Sequence, residues 1–339
     1  MEASEKTFKV LCIDGGGIKG LYSATILQHL EEQYNCKISD HFDMLCGTST
    51  GGIIALALSL KISAADICRF YREEGPKIFP RAGWGKRSHR LISGFRQILW
   101  GGKFSDEPLK HALNQVFGDQ VLGESHNLLC IPSYTVTEAR PYIFKFDHKE
   151  GQLSRDNKAR YVDVALATSA APTYFPVAEN ANYDNKQFID GGVWANNPTL
   201  VGFVEALRYF VGNGKQFQKL SILSVSSLTL TGGEKAGKDR FRSFFGWRDS
   251  LFETSMTGQS LFTDYFMSRM NEVNDVNVKY LRIPCPDVSH EQASQVQLDV
   301  ATPAALNLLS GKGNDQGYLF RNNPDVAHFF TYPKHYKTH

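Results

Sequence analysis

The segment Gly47-Thr48-Ser49-Thr50-Gly51 most constrains the fold of this chain, because it joins an apolar run to a run of helix-forming residues. The apolar run, residues 42–46, predicts a short buried strand, and the residues after the segment predict a helix. A serine at the centre of so sharp a turn has a strained backbone, and the glycines two residues to either side remove side chains that would collide. The pattern predicts a strand–turn–helix that presents Ser49 at the positive end of a helix dipole. A Gly/Ser/Thr turn without chemistry is the alternative that the segment alone leaves open.

A second glycine-rich segment follows a strand predicted for residues 8–13 and precedes a helix predicted for residues 21–34. Three consecutive glycines leave several backbone N–H groups unhindered, which makes a cradle for an anion. In a dinucleotide-binding protein, Gly15, Gly17 and Gly20 would surround a pyrophosphate. In an acyl hydrolase, the same N–H groups would stabilise an oxyanion. The hydrolase reading is favoured because the next strand ends in the serine turn and not in an acid that could bind a ribose.

Asp190 is predicted to be the last residue of another strand, and Gly191 and Gly192 then let the chain turn sharply. Asn197 is expected to cap a helix whose first residue is Pro198. Functional groups of a parallel sheet collect where its strands end, so we expect the glycine-rich segment, Ser49 and Asp190 to meet at one edge. An aspartate that merely forms the turn before two glycines is the alternative.

The remaining patterns predict an α/β fold with a mainly parallel sheet. We expect one domain over residues 1–339, in which a core that carries the motifs (8–230) packs against a C-terminal extension (231–339). Further strands are predicted at residues 128–131, 142–146, 220–225 and 279–283, and further helices at 64–71, 108–117, 163–170, 249–270 and 302–309.

Two stretches combine basic and aromatic residues. Residues 75–105 contain seven basic residues and no acid, and residues 235–248 contain five basic residues and one acid. For the first stretch the alternatives are a core-packed helix with a solvated basic face and a flap that faces an anionic membrane. For the second they are a solvated loop and a site for anionic headgroups or a phosphate-bearing ligand.

Composition excludes several other classes. The formal net charge of +2 gives no indication of a nucleic-acid polymer as partner. The polar N-terminus lacks the apolar core of a secretory signal, and no run approaches the roughly 18 apolar residues of a membrane span. The six cysteines form no C-x-x-C pair and the C-terminal histidines lack ligand spacing, so neither a metal nor another cofactor is expected. We therefore expect a cytoplasmic protein; whether it forms a homo-oligomer is open.

Taken together, Asp14-Gly-Gly-Gly-Ile-Lys-Gly20, Gly47-Thr-Ser-Thr-Gly51 and Asp190-Gly-Gly192 resemble, in this order, the three motifs of the patatin-like phospholipases. The resemblance extends from about residue 8 to about residue 320. It implies a three-layer α/β/α fold and a Ser49–Asp190 dyad without a catalytic histidine. It also implies an oxyanion hole formed by the backbone of Gly15, Gly16, Gly17, Ile18 and Lys19, with Gly20, Gly47, Gly51, Gly191 and Gly192 as the remaining motif glycines.

The resemblance implies a phospholipase A activity that cleaves the fatty-acyl esters of membrane phospholipids through an acyl-enzyme. Some bacterial members are effectors of cyclic-nucleotide antiphage signalling, which makes a cyclic dinucleotide a candidate activator and the inner membrane surface a candidate partner of the active enzyme. An ordinary carboxylate is a poor base for a serine hydroxyl. Burial would raise the pKa of Asp190 and nearby N–H donors would lower it; the sequence leaves the balance open.

Overall fold

The computed structural model describes residues 6–80, 103–228, 244–272, 277–289 and 291–338, without the side chains of residues 244–250 and 293. Residues 81–102 of the first basic stretch and residues 235–243 of the second lie outside the described residues, as do the side chains of residues 244–248. The predictions made for those two stretches therefore stay predictions.

The described residues form a single mixed sheet. Its order is β5-β6-β3-β2-β1-β7-β8, and β4 pairs with β3. Strands β1, β2, β3, β7 and β8 run parallel to one another, whereas β4 and β6 pair antiparallel with β3, and β5 pairs antiparallel with β6. The strands are β1 (Thr7–Ile13), β2 (Met44–Gly47), β3 (Leu128–Thr135), β4 (Arg140–Lys145), β5 (Ala178–Asn180), β6 (Lys186–Asp190), β7 (Lys219–Val225) and β8 (Val278–Ile283).

Helices cover both faces of this sheet. In order they are α1 (Gly20–Tyr34), α2 (Thr50–Ser59), α3 (Ala64–Ile78), α4 (Glu107–Phe117), α5 (Tyr161–Ser169), α6 (Gly192–Ala195), α7 (Thr199–Tyr209), α8 (Phe244–Met270), α9 (Pro303–Phe320) and α10 (Pro324–Phe330). None of the helices in the described ranges has both the length and the apolar character that a bilayer crossing requires.

Successive side chains of β3 point alternately to the two helical layers. Cys130 is aligned across the sheet with Cys46, and Gly202 of α7 packs on the Cys46 face. Ile131 points to the opposite face, where it meets Gly52 of α2. The inner strands are therefore buried on both sides, as their unbroken apolar runs predict. This α/β/α arrangement around a mainly parallel sheet confirms the predicted fold class.

Helix α9 extends well beyond the predicted end at residue 309. Its Gly-Lys-Gly sequence is typical of a helix end, but two of its glycines face α1. A Cβ atom added at Gly313 would lie 2.7 Å from Thr25 Cβ, and one added at Gly317 would lie 2.3 Å from His29 Cδ2. These glycines let the two helices touch, so packing between helices overrides the local preference.

The C-terminal tail is anchored to the start of β2. The buried carboxylate of Asp43, the residue before β2, accepts hydrogen bonds from the backbone N–H groups of His335 and Tyr336 at 2.8 and 2.7 Å. The same carboxylate accepts the N–H of Lys9 in β1 at 2.7 Å. One aspartate thus joins two parallel strands and the tail at the edge of the sheet opposite the serine turn.

Candidate active site

Ser49 lies on the sharp turn that its flanking glycines predict. Its backbone angles are φ 54° and ψ −124°, a region that residues with a Cβ rarely adopt. A Cβ atom at Gly47 would lie 2.0 Å from the carbonyl oxygen of Gly51, and one at Gly51 would lie 2.2 Å from that of Ile13. Helix α2 begins at the next residue, so the unpaired N–H groups of its first turn face the region around Ser49.

Asp190 reaches Ser49 by a route that differs from the expected one. Strand β4 occupies one edge of β3, and β2 and β6 share the other edge. Cys46 of β2 pairs with Cys130, whereas Asp190 pairs with Ser133, three residues further along β3. Strands β2 and β6 therefore run head-on towards each other. The assumption that Asp190 ends a strand parallel to β2 is wrong, because β3 continues past the end of β2 and pairs with an antiparallel strand there.

The carboxyl group of Asp190 is almost fully buried and has few hydrogen-bond donors. The Ser49 side chain lies near this carboxyl group, whose Oδ1 accepts the N–H of Gly192 at 2.7 Å. Burial raises the pKa of Asp190 to about 7, and the Ser49 hydroxyl and the Gly192 N–H only partly oppose that rise. Desolvation thus decides the balance that the sequence left open. Near neutral pH this carboxylate can accept the proton of a nearby hydroxyl group.

The glycine-rich segment uses several of its amides internally. The N–H groups of Gly15, Ile18 and Lys19 donate to the carbonyl oxygens of Asn196, Leu298 and Gly16 at 2.9, 2.9 and 3.1 Å. Gly17 has a φ of 58° and, with Ile18, lines the cleft that contains Ser49.

Hydrogen bonds within the fold divide the five predicted oxyanion-hole residues into two groups. In this structure Gly15, Ile18 and Lys19 donate their N–H groups within the fold, which leaves Gly16 and Gly17 as the candidate donors to a ligand. The Lys19 side chain is buried, and burial lowers the pKa of its ammonium group.

A buried ion pair with a strand two positions away in the sheet supports this segment. The guanidinium of Arg282 in β8 donates to both carboxylate oxygens of Asp14, at 3.2 and 2.5 Å, and to the Ser224 hydroxyl at 2.6 Å. Sequence reasoning missed Arg282, because nothing in the sequence around residue 282 identifies a partner 268 positions earlier.

The short turn of residues 192–197 connects the three motifs. Its Gly192 N–H bonds Asp190, its Ala195 carbonyl accepts the Thr48 hydroxyl at 2.6 Å, and its Asn196 carbonyl accepts the Gly15 N–H. The Asn196 side-chain amide donates to Ser260 of α8 at 2.9 Å. Each motif is therefore linked to this turn by a hydrogen bond. The sequence singled out Asn197 but assigned no role to Asn196. Pro198 and not Asn197 is the N-cap residue of α7, although the Asn197 side-chain oxygen accepts the N–H of Thr199, its first residue.

The remaining motif glycines lie where other groups approach closely. A Cβ atom at Gly20 would lie 2.2 Å from the Thr50 hydroxyl oxygen, and one at Gly191 would lie 2.3 Å from the Pro132 carbonyl oxygen. Both positions therefore exclude a side chain for steric reasons.

Ser49 and Asp190 line a largely apolar cleft. Phe252 and Met256 of α8 form part of its wall. The apolar lining suits a hydrocarbon chain, whereas a dinucleotide would need polar partners for its bases and phosphates. Other apolar lining residues are Ile18, Ile53, Phe70, Ile78, Phe79 and Phe175.

Comparison with known proteins identifies the family. A sequence model described as patatin-like phospholipase matches residues 11–202, which contain the glycine-rich segment, Ser49 and Asp190. The chain belongs to the patatin-like phospholipase family. Membership confirms the predicted family and the predicted enzyme class, a carboxylic ester hydrolase of the phospholipase type.

Relatives of this family member occur in bacteria and plants. A protein of Pseudomonas aeruginosa named cGAMP-activated phospholipase is 32% identical over 310 residues, covering 91% of this chain and 87% of that relative. A Vibrio cholerae protein of the same name is 28% identical over 345 residues, covering 96% and 95%. Patatin-like protein 2 of rice is 33% identical over 231 residues, covering 62% and 56%.

Proposed function

We propose that this protein hydrolyses the fatty-acyl esters of membrane phospholipids, with Ser49 as nucleophile and Asp190 as general base. The position of both side chains in the lining of one apolar cleft carries the proposal, and it is supported by the Asp190 pKa of about 7, which the nearby Ser49 side chain lowers. Family membership supplies the reaction class, and the cleft supports a lipid as the acyl donor.

In the first half of the reaction the Ser49 hydroxyl oxygen attacks the ester carbonyl carbon while its proton moves to Asp190. The oxygen of the resulting tetrahedral intermediate carries the negative charge, which the N–H groups of Gly16 and Gly17 would stabilise. Each such donor is worth about 2.7–4 kcal/mol in other enzymes. The C–O bond to the alcohol then breaks, and Asp190 returns the proton to the departing lysophospholipid.

In the second half Asp190 removes a proton from water, and the resulting oxygen nucleophile attacks the acyl group on Ser49. The ester bond to the enzyme breaks, Ser49 recovers its proton from Asp190, and a fatty acid leaves. The positive end of α2 favours the negative charge that develops in both halves.

We further propose that a cyclic dinucleotide activates the enzyme, and that the active form works at the cytoplasmic face of the inner membrane in antiphage defence. The motivation is that relatives aligned over most of the chain are named cGAMP-activated phospholipases. An unregulated intracellular phospholipase would damage its own cell, which gives a ligand-controlled step a physical purpose.

The decisive experiment combines a covalent probe with lipid analysis. A fluorophosphonate should label the wild-type protein and not Ser49→Ala. Mixed phospholipid vesicles should release free fatty acid with the wild type, more so when cyclic GMP–AMP is added. Labelling of Ser49→Ala equal to that of the wild type would contradict the role of Ser49, and equal hydrolysis with and without cyclic dinucleotides would contradict activation.

A further inference from the structure

A second cavity lies beside the cleft, where helices α2, α3 and α4 meet. Its floor is apolar and includes Ala57, Ile67, Ala112, Leu113 and Phe117. Its rim carries charged side chains, among them the ion pair of Asp66 and Arg69, which are joined at 2.5 Å with both side chains largely exposed. The second cavity therefore has an apolar interior and an opening that faces water.

Two side chains line both the cleft and the second cavity, Ile53 of α2 and Phe70 of α3. Ile53 is 7% exposed and lies one helical turn after Ser49, since its N–H donates to the Ser49 carbonyl oxygen at 3.0 Å. The half-buried Phe70 ring packs edge-on against the ring of Tyr71, with the ring centroids 5.5 Å apart. Because each side chain borders both spaces, Ile53 and Phe70 form a shared wall between them.

The position of Phe70 on α3 explains why it borders both spaces. Side chains three or four residues apart lie on the same face of a helix. Phe70 follows Asp66 by four residues and precedes Glu73 by three, and all three line the second cavity. The cleft is lined by Gly75 and Ile78 of the adjacent face. Phe70 lies at the border of the two faces, so its ring reaches the cleft as well.

The walls that α2, α3 and α4 give to the cleft suit a hydrocarbon chain. Ile53, Ile78 and Leu109 are apolar and almost fully buried there. The Tyr71 hydroxyl, which also lies in this wall, donates to the Thr50 carbonyl oxygen at 3.2 Å and hydrogen-bonds with the Thr50 hydroxyl. Its polar atom is therefore bonded within the fold. The acyl chain of an ester gains most from burial against these helices.

We propose that the shared wall limits the length of acyl chain that the cleft can bury, and that Phe70 determines this chain-length preference. The proposal rests on the proposed function, because an acyl chain in the cleft is what would meet the wall. Each methylene group in front of the wall adds binding free energy, and groups beyond it add none. Without the Phe70 ring, the cleft would continue into the second cavity, whose apolar floor would bury further methylene groups.

The test measures kcat/KM for the p-nitrophenyl esters of butyrate, octanoate, laurate and palmitate, in one detergent and with cyclic GMP–AMP present throughout. In the wild type, kcat/KM should rise with chain length and then level off. In Phe70→Ala the rise should continue to a longer chain. Its palmitate-to-octanoate ratio of kcat/KM should exceed that of the wild type by about tenfold, as expected for about two additional buried methylene groups.

A variant of the second cavity serves as the control. Ala112 lines the second cavity and not the cleft, so Ala112→Leu alone should keep the wild-type chain-length profile. Combined with Phe70→Ala, it should remove most of the gain, because the larger side chain fills the space that the acyl chain would enter. Thermal unfolding checks that each variant is folded. Phe70→Leu, which removes less volume, should shift the profile in the same direction by a smaller amount and takes the place of an unfolded Phe70→Ala.

A palmitate-to-octanoate ratio in folded Phe70→Ala equal to that of the wild type would overturn the proposal. So would a gain of the same size in the folded double variant, since the acyl chain would then not enter the second cavity. Failure of the proposed function gives a different result, in which the wild type hydrolyses none of the esters or Ser49→Ala hydrolyses them as fast. Hydrolysis that depends on Ser49 but keeps one chain-length profile in all variants would refute the role of the wall and leave the chemistry intact.

Discussion

Two buried aspartates lie at the two ends of strand β2 and behave differently. Asp43 precedes the strand and is fully buried, and Asp190 faces the other end with 1% of its surface exposed. The Asp43 carboxylate accepts three backbone N–H groups, from Lys9, His335 and Tyr336. Asp190 accepts one backbone N–H, and the nearby Ser49 side chain lowers its pKa.

The comparison shows that two carboxyl groups can be equally buried and yet differ in whether their oxygens are available to another group. Burial raises the pKa of both carboxyl groups, and at Asp43 the backbone donors and the charge of Lys9 oppose the rise. The donors at Asp43 also occupy its oxygens, so no group from outside the fold can use them. Asp190 keeps its capacity for the Ser49 proton. A buried carboxylate can therefore serve as a base when the fold leaves part of its hydrogen-bonding capacity to the nucleophile.

The largest expected effect is on catalysis. Asp190→Asn should lower kcat/KM for a soluble ester by about 10⁴-fold, because an amide cannot take the Ser49 proton. The matched Asp43→Asn substitution should change kcat/KM by less than about threefold once the folded fraction is taken into account. Steady-state kinetics of both variants measure the contrast. More than a few per cent of wild-type activity in Asp190→Asn would remove the dyad from the proposal.

Asp43→Asn should reduce the stability of the folded protein. An amide there would turn an N–H donor towards the backbone donors of the tail or of Lys9, which leaves buried groups unpaired. We expect a loss of about 3 kcal/mol in the free energy of unfolding at pH 7. Urea titration followed by circular dichroism measures the loss. If Asp43→Asn were as stable as the wild type, the hydrogen bonds accepted by the Asp43 carboxylate would not contribute to the stability of the fold.

Asp190→Asn should have the opposite effect on stability. The folded state holds the pKa of Asp190 at about 7, above its ordinary value of 3.8, so between these pH values the native state binds more protons than the unfolded state. The stabilisation by the neutral form is complete below about pH 4 and is lost as the pH rises through 7. Replacing Asp190 with a permanently neutral amide should therefore add about 2 kcal/mol at pH 8 and little at pH 4. A variant less stable than the wild type at pH 8 would contradict the cost of the buried charge.

The pH profile of catalysis should follow the same carboxyl group. With the ionised form of Asp190 as the proposed base, kcat/KM is expected to rise about tenfold per pH unit below about 7 and to level off above it. Asp43→Asn should keep this profile, since Asp43 does not contact the nucleophile. A flat profile between pH 5 and 8 would show that another group controls the proton transfer.

Much of the site could be predicted because its motifs are local. Small residues after an apolar run favour a tight turn, so the turns around residues 15, 49 and 190 could be predicted from their own sequences. Ser49 and Asp190 were also expected to meet, and the structure places both in the lining of one cleft. Their catalytic roles stay predictions.

The direction of β6 could not be predicted, because it depends on the pairing of Asp190 with Ser133, which no local pattern encodes. The cleft wall contributed by α8 and the support of Asp14 by Arg282 were missed for the same reason. The predicted end of α9 was wrong because packing against α1 at Gly313 and Gly317 overrides the local preference for a helix end. Local sequence thus predicted the chemical groups, and the elements that hold them in place required the structure.

The smallest expected effect tests how the Asp190 end is held. At the other end of β2, the Asp43 carboxylate holds the surrounding backbone, whereas neutral side chains hold the turn of residues 192–197. Gln259 of α8 accepts the Asn197 N–H at 2.8 Å and donates to the Asn197 carbonyl at 3.3 Å. Gln259→Ala should lower kcat about threefold with KM unchanged, because these neutral bonds are each worth about 1 kcal/mol and position Asp190 only through the turn.

Two further variants show whether this effect is positional. Ser268→Ala, at an exposed position of the same helix, should leave kcat unchanged. Gln259→Glu keeps an acceptor for the Asn197 N–H and should recover part of the rate, but its charge should shift the midpoint of the pH profile upward by disfavouring ionised Asp190. A loss in Gln259→Ala that appeared in KM alone, or a pH midpoint that did not move in Gln259→Glu, would mean that α8 affects substrate binding and not the geometry of the dyad. The hydrogen bonds between Gln259 and Asn197 would then have no part in positioning Asp190.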